Sequence, residues 1–368
     1  MNRIIDFLKK EIVLSVSFVL ALISMFFVPP SEKYFDYIDF RTLGLLFSLM
    51  IIMAGLNKMG IFRLLAKNLL NKAKTMRGVT LLLVLLCFFS SMIITNDVAL
   101  ITFVPFSVVL LKLANKQNRM IFVVTLETIA ANLGSMLTPI GNPQNLYLFS
   151  AYNMSISDFF YTIVPYAMLS LGLLVIFSLF SDKSELANLG DREEVIFDKR
   201  LLTMYAVLFA IALLSVFRVL NYIVLLAAVI VFVLIFDRKV LLKVDYSLLF
   251  TFVFLFIFIG NLGNIAQINS WLSEIVGGNE VVVGVLASQV FSNVPAAILL
   301  SGFTCNAAAL MIGVNIGGLG TLIASMASLI SFKFIQKESV SIVKYLGVFT
   351  LLNVVFLAAN LALWVVVK

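Results

Sequence analysis

Residues 132–145, NLGSMLTPIGNPQN, set two glycines, two prolines and three asparagines inside an otherwise continuous apolar segment, 120–148. A backbone with that many breakers cannot stay α-helical, so its N–H and C=O groups lose their internal partners. The surrounding chain places that loss inside a bilayer: of 368 residues 62% are hydrophobic and 12% charged, the composition of a polytopic membrane protein. Non-helical backbone at membrane depth persists only where it is buried in protein or lines a cavity. The stretch therefore predicts half of a binding site.

Composition also removes whole classes of chemistry. There is no histidine, which excludes His-based zinc sites, Ser/His/Asp triads and imidazole relays. An intramembrane hydrolase would need such a triad or two facing aspartates, and Asp97 has no acidic partner nearby in the chain. Cys87 and Cys305 lie far apart in apolar runs and are expected in the core. No GxxxxGK[ST] pattern occurs, and the glycines at 317–320 resemble a phosphate loop only superficially, so the chain carries no ATPase motif of its own. Neither an enzyme nor a cofactor is expected, and no metal beyond a coupling Na⁺.

Read in order, the apolar runs predict helices at 11–28, 42–57, 158–181, 201–217, 219–236, 246–263 and 342–367. The N-terminal MNRIIDFLKK followed by an apolar run resembles a signal peptide, but the run is long and lacks a small-residue cleavage site, so it reads as a first span. A basic amphipathic stretch at 60–77 is expected on the membrane surface. Two apolar arms, 79–94 and 98–111, flank Thr95-Asn96-Asp97. A surface helix from 265 precedes two further arms around Ser292-Asn293, and a second interrupted segment runs over 304–331. With the N-terminus cytoplasmic, all 26 Lys and Arg except Lys33, Arg41, Arg218 and Lys368 fall on the cytoplasmic side, a positive-inside bias that accounts for the basic net charge without a nucleic acid. The C-terminus is then outside.

The chain repeats itself. Asn132-Leu-Gly-Ser-Met-Leu-Thr138 recurs as Asn315-Ile-Gly-Gly-Leu-Gly-Thr321, Thr95-Asn96 recurs as Ser292-Asn293, and the helix opening Asp39-Phe40 has a counterpart opening Asp245-Tyr246. An odd number of crossings separates the units, so the second is upside down relative to the first, the inverted-repeat plan of secondary transporters. The expected division is 1–181, a linker and connecting helix over 182–218, and 219–368. The arms at 280–291 and 295–303 are too short to span, since a span needs about 20 residues; they predict a re-entrant hairpin, and by the repeat 79–111 is expected to be one too. The fold class is an all-α polytopic membrane protein of about nine full spans plus two hairpins.

The polar groups that converge are Thr95, Asn96, Asp97, Asn132, Ser135, Thr138, Asn142, Asn145, Ser292, Asn293, Asn315 and Thr321, with Gly134, Gly141, Gly317, Gly318 and Gly320 offering bare backbone. Half-helices that begin at the tips and after the breaks aim N-terminal dipoles inward and favour an anion, while carbonyls at the ends of the preceding arms suit Na⁺. Asn96, Asn293, Thr95, Ser292, Thr138, Thr321 and Gly318 are the candidate substrate contacts. Asp97, Asn132, Ser135, Gly141, Asn142, Asn145, Asn315 and Gly317 are the candidate coupling-ion residues. Asp97 also reads as an N-cap, a compatible role. Glu127 reads either as a proton carrier or as a locally hydrogen-bonded acid.

The motifs GNPQN at 141–145, SNVPAA at 292–297 and GVNIGGLGTLIAS at 313–325 resemble the ion transporter superfamily, which includes divalent anion/sodium symporters, citrate permeases, arsenite efflux permeases and sodium/proton antiporters. The resemblance covers nearly the whole chain. It implies two re-entrant hairpins, a transport domain moving in elevator fashion against a scaffold, a small anionic substrate, Na⁺ or H⁺ coupling and a homodimer in the cell membrane. In the dicarboxylate symporters each tip reads Ser-Asn-Thr; here the tips read Thr95-Asn96-Asp97 and Ser292-Asn293-Val294, departing at the third position in both. The Asn-Asp tip is similar to the arsenite-permease branch. An arsenite permease or a cation/proton antiporter is therefore the nearest alternative, and an ion channel a remote one.

Overall fold

The computed structural model describes residues 11–60, 75–184 and 198–367. Most of the basic stretch expected at 60–77, most of the 182–200 linker, and the N-terminal MNRIIDFLKK lie outside the described residues. All regular structure among the described residues is helical, with no β-strand.

Helices α1 (Ile12–Phe27) and α2 (Phe40–Lys58) are followed by the pair α3 (Met76–Ile94) and α4 (Asn96–Leu113). The 120–148 segment resolves into α5 (Met120–Ser135) and α6 (Pro143–Ala151), and α7 is Ile156–Leu179. Next come α8 (Lys199–Val216), α9 (Tyr222–Phe236), α10 (Tyr246–Gly263) and α11 (Ala266–Val276). The second pair is α12 (Glu280–Phe291) and α13 (Asn293–Ser301), the second interrupted segment is α14 (Ala307–Ile316) and α15 (Met326–Ile335), and α16 is Ile342–Val367. Helices α2, α3, α4, α7, α8, α10 and α16 are each long and apolar enough to cross a membrane, eight candidates if the bent pair α11 and α12 is counted. This is a polytopic membrane protein, all-helical over its described residues.

Local chemistry sets the boundaries. Asp39 and Asp245 cap α2 and α10 by accepting the N–H groups of Thr42 and Leu248. Asn221 caps α9, which begins three residues later than the apolar run suggests and is 15 residues long. The first pair is longer than expected: α3 has 19 residues and α4 has 18, against 12 and 9 in α12 and α13. Cys87 is buried, but Cys305 is exposed. It lies in the turn between α13 and α14, where the apolar run is interrupted and no core reaches it.

Helix α7, 24 residues and about 36 Å long, connects two polar ends of the bundle. At its start, Tyr152 donates to the carbonyls of Ser301 and Thr304, and Arg218 binds the Phe149 carbonyl. Arg41 reaches Ser215 at the same end. At its far end Asp182 pairs with Lys116 and Arg119, and Met76 and Arg77 bond back to the 182–184 backbone. Hydrogen bonding from Ser184, reinforced by those two cations, holds the Asp182 carboxyl down at about 2. Lys112 pairs with Glu338 and Lys58 with Asp237.

Between these ends two helices are interrupted, and their freed backbone groups are met by side-chain amides. Asn145 Nδ2 donates to the carbonyls of Met136 (2.9 Å) and Thr138 (3.3 Å). In the second segment Gln289, on α12, donates through Nε2 to Gly317 O (2.8 Å) and Leu319 O (2.9 Å), and its Oε1 accepts Thr321 N–H at 2.9 Å. Met136 and Leu319 stand at the same place, four residues after Asn132 and Asn315. The glycines serve packing: a Cβ on Gly134 would lie 2.2 Å from the Phe88 carbonyl oxygen of α3, and one on Gly317 2.8 Å from Ser288 Oγ of α12.

Two outcomes follow. Gly134→Ala forces α5 away from α3 and is expected to cost about 1–3 kcal/mol, seen as a lowered unfolding temperature in detergent; Gly172→Ala, where an added Cβ meets nothing within 4 Å, does not lower it. Gln289→Met strands two carbonyls and an N–H, at about 1–3 kcal/mol per group, so the Thr321 amide exchanges hydrogen faster than in the parent protein.

Candidate functional site

The two pairs turn at single residues with one backbone conformation. Thr95 sits at φ 74°, ψ 155° and Ser292 at φ 73°, ψ 155°, a region that is essentially glycine territory and costs about 1–3 kcal/mol per residue. After each turn an asparagine begins the second helix. Asn96 Oδ1 accepts the N–H of Asp97 and Asn293 Oδ1 that of Val294, both at 3.0 Å. The side chains thereby cap the helices in which they stand, although neither Thr95 nor Ser292 does so. Asp97 lies in the first turn of α4 rather than at its cap position.

Each tip is tied to an interruption. Asn96 N–H donates to Gly141 O at 3.2 Å, Asn96 Nδ2 to Asn132 Oδ1 at 3.2 Å, and Thr138 Oγ1 to Met92 O. Asn293 lies against Gly318, where an added Cβ would come 3.0 Å from its Nδ2. The two interruptions are bonded to each other reciprocally. Asn142 Nδ2 donates to Asn315 Oδ1 at 3.2 Å, and Ser325 Oγ donates to Asn132 Oδ1 at 2.9 Å. Asn142 and Ser325 each stand ten residues after the asparagine of their own segment. Asn315 Nδ2 also donates to Asn145 Oδ1 at 2.6 Å, and Asn142 Nδ2 to Ser135 Oγ at 3.2 Å.

At the centre is a cavity lined by Asn96, Asp97, Pro143, Leu248, Asn293, Val294, Ser325 and Met326. Every one of these residues belongs to the first turn or the cap of a helix: α4, α6, α10, α13 or α15. Five helix N-termini, each equivalent to about half a positive charge, therefore face one small space. The cavity measures about 10 Å³, room for about one water, so this arrangement is closed around its centre. Asp97 is the single acid in the lining, and its Oδ1 is buried without a hydrogen-bond partner; the matching position at the other tip is Val294.

Of the residues expected from sequence, Asn96, Asn293 and Asp97 line the cavity, and Asn132, Ser135, Asn142, Asn145 and Asn315 form the buried amide network beneath it. Thr95 and Ser292 are the turns themselves. Thr138 is engaged with Met92, Gly141 gives its carbonyl to Asn96, and Gly317 packs under Ser288. Thr321 contributes its N–H to Gln289 and has an exposed side chain. Glu127 is outside this group, bonded to Ser107. Sequence reasoning passed over Gln289, although it is the one amide in the apolar arm EVVVGVLASQVF, and Leu248, which looks like an ordinary apolar helix residue. Ser325 closes a motif already singled out.

The citrate transporter family model matches residues 4–330. An uncharacterized transporter of Methanocaldococcus jannaschii is 32% identical over 350 residues, covering 94% of this chain and 95% of that protein. The inner membrane protein YbiR of Escherichia coli is 33% identical over 328 residues, 84% and 83% of the two chains. A silicon efflux transporter of Oryza sativa is 33% identical over 156 residues, 41% of this chain and 31% of that one. On the match over nearly its whole length, the chain belongs to the citrate transporter family.

Proposed function

We propose that this protein is a secondary carrier of a small anion, an organic acid of the citrate kind or an inorganic oxyanion, coupled to Na⁺ or H⁺ through Asp97. The observation that carries this reading is the convergence of five helix N-termini on one cavity that holds a single carboxylate. Oriented N–H groups and dipoles of that number favour negative charge. Asp97, when ionised, supplies negative charge of its own there. An entering anion competes with that carboxylate, so binding requires Asp97 to be neutralised by a proton or paired with a cation. Coupling then follows from site chemistry. It also matches the energetics, because moving an anion into a negative interior costs about 2.3 kcal/mol per charge per 100 mV.

Residues 1–181 and 219–368 act in this reading as two inverted copies joined by 182–218. Support comes from the shared tip conformation, the reciprocal bonds Asn142–Asn315 and Ser325–Asn132, and Ser91 and Ser288, each four residues before a tip and each against the glycine of its own segment. The short arms α12 and α13 re-enter from one face. The arms α3 and α4 are long enough to cross, but their tip bonds to the interruption at Gly141 and Asn132, which favours a re-entrant pair from the opposite face. With the cavity closed, the first tip bonded to its interruption and the second packed on Gly318, the tips and interruptions shift as a unit past α2 and α10, an elevator movement, within a homodimer. The basic residues cluster at the Asp182 end of α7, which favours that end, and the N-terminus, as cytoplasmic.

A second reading, efflux of a weakly acidic inorganic species, is favoured by the partial match to a silicon efflux transporter and by the acid in the first tip. Uptake and efflux in proteoliposomes, tested with citrate, arsenite and silicic acid under imposed Na⁺ and pH gradients, separate the two. Asn96→Ala and Asn293→Ala each remove a cavity-lining amide and are expected to cut flux about tenfold or more; unchanged flux in both would falsify the site. Asp97→Asn is expected to retain citrate counterflow while losing gradient-driven accumulation.

A further inference from the structure

Glu127 is not used by the site described above, yet it is entirely buried, with 0% exposure. It projects from α5 between the two arms of the first pair. Ser107 on α4 donates to its Oε1 at 2.5 Å, and the Cys87 thiol on α3 lies 3.9 Å from the same oxygen. Its Oε2 is buried with no hydrogen-bond partner. The Cys87 thiol is the titratable group facing it from α3; α4 presents a hydroxyl, and α15 presents Ser331 to the adjacent Thr128. None of the four ion pairs among the described residues involves Glu127.

The chemistry of this pocket is specific. An ionised carboxylate so enclosed would need a cation or several donors, and the pocket offers one hydroxyl and one thiol. A protonated carboxyl can give its O–H to Ser107 Oγ, which has lone pairs to accept it. The enclosed pocket therefore suits the neutral acid, and ionising it requires water to reach the unpartnered Oε2. Its two polar neighbours belong to two different helices, α4 and α3. Ser107 lies five residues from Lys112, whose pair with Glu338 marks the end of the bundle, about 8 Å along α4.

We propose that Glu127 is a proton-binding site of the transport cycle, separate from Asp97, holding its proton while it is enclosed between α3 and α4 and exchanging it where the moving unit brings water to its free oxygen. The carboxylate takes a proton from water at one face, becomes a neutral acid inside the bundle, and returns the proton to water at the other. This rests on the reading of the chain as a carrier, but its primary test needs no substrate.

Infrared difference spectroscopy of the purified protein, titrated from about pH 5 to about pH 9, reads the carboxylic acid C=O band directly. The expected result is a band that disappears as pH rises, is missing from Glu127→Gln and survives in Asp97→Asn. Glu127→Gln copies the shape of the protonated acid, so it keeps the fold. With citrate as probe, accumulation driven by a pH gradient in proteoliposomes is expected to fall at least tenfold in that variant and to lose its pH dependence. A Glu127 band that persists over the whole range would mark a permanently protonated structural acid and overturn the proposal, as would wild-type accumulation by Glu127→Gln. If the wild-type protein moves no citrate while the band titrates, the choice of substrate fails and the proton site stands.

Discussion

Backbone at membrane depth must find its hydrogen bonds inside the protein, and the centre of this molecule is built around two helices that cannot supply their own. The interruptions at 136–142 and 317–325 free carbonyls and amides. Asparagine and glutamine side chains take them up, because a primary amide is both donor and acceptor and carries no charge to desolvate. The result is a buried layer of asparagines, Asn96, Asn132, Asn142, Asn145 and Asn315, bonded to one another and to backbone. Once that layer is complete, the helix ends it supports have one direction left to point, and they point at the cavity.

Much of this was legible in the chain. Breakers in an apolar run announced both interruptions, and the repeated Asn-x-Gly pattern located the amide layer, since helix-breaking residues act locally whatever the tertiary structure. Relations through space were not legible. Gln289 lies nearly thirty residues from the carbonyls it satisfies. Leu248 reaches the cavity only because α10 begins beside the first tip. The glycines gave a misleading signal: Gly134 and Gly317 looked like open backbone for a ligand, but they admit neighbouring helices. The same residue type serves both purposes, and only packing distinguishes them.

The turns at Thr95 and Ser292 repeat one costly conformation. Glycine would adopt it without strain, so the hydroxyl-bearing residues are held there by their surroundings. At the first tip the holding contacts can be named: the Asn96 N–H on Gly141 and the Thr138 hydroxyl on Met92. These contacts keep the strained turn from relaxing into a longer, looser loop. They also keep the following asparagine in register with the helix end that it caps.

The reciprocal pair of bonds, Asn142 to Asn315 and Ser325 to Asn132, restricts how the chain can vary. Each bond joins one interrupted segment to the other, so a donor in one and its acceptor in the other work as a pair. A substitution at Asn132 is felt at once at Asn96 and at Ser325, the latter nearly two hundred positions away. The two tips differ at Asp97 and Val294, but at these four positions the two halves of the chain hold each other.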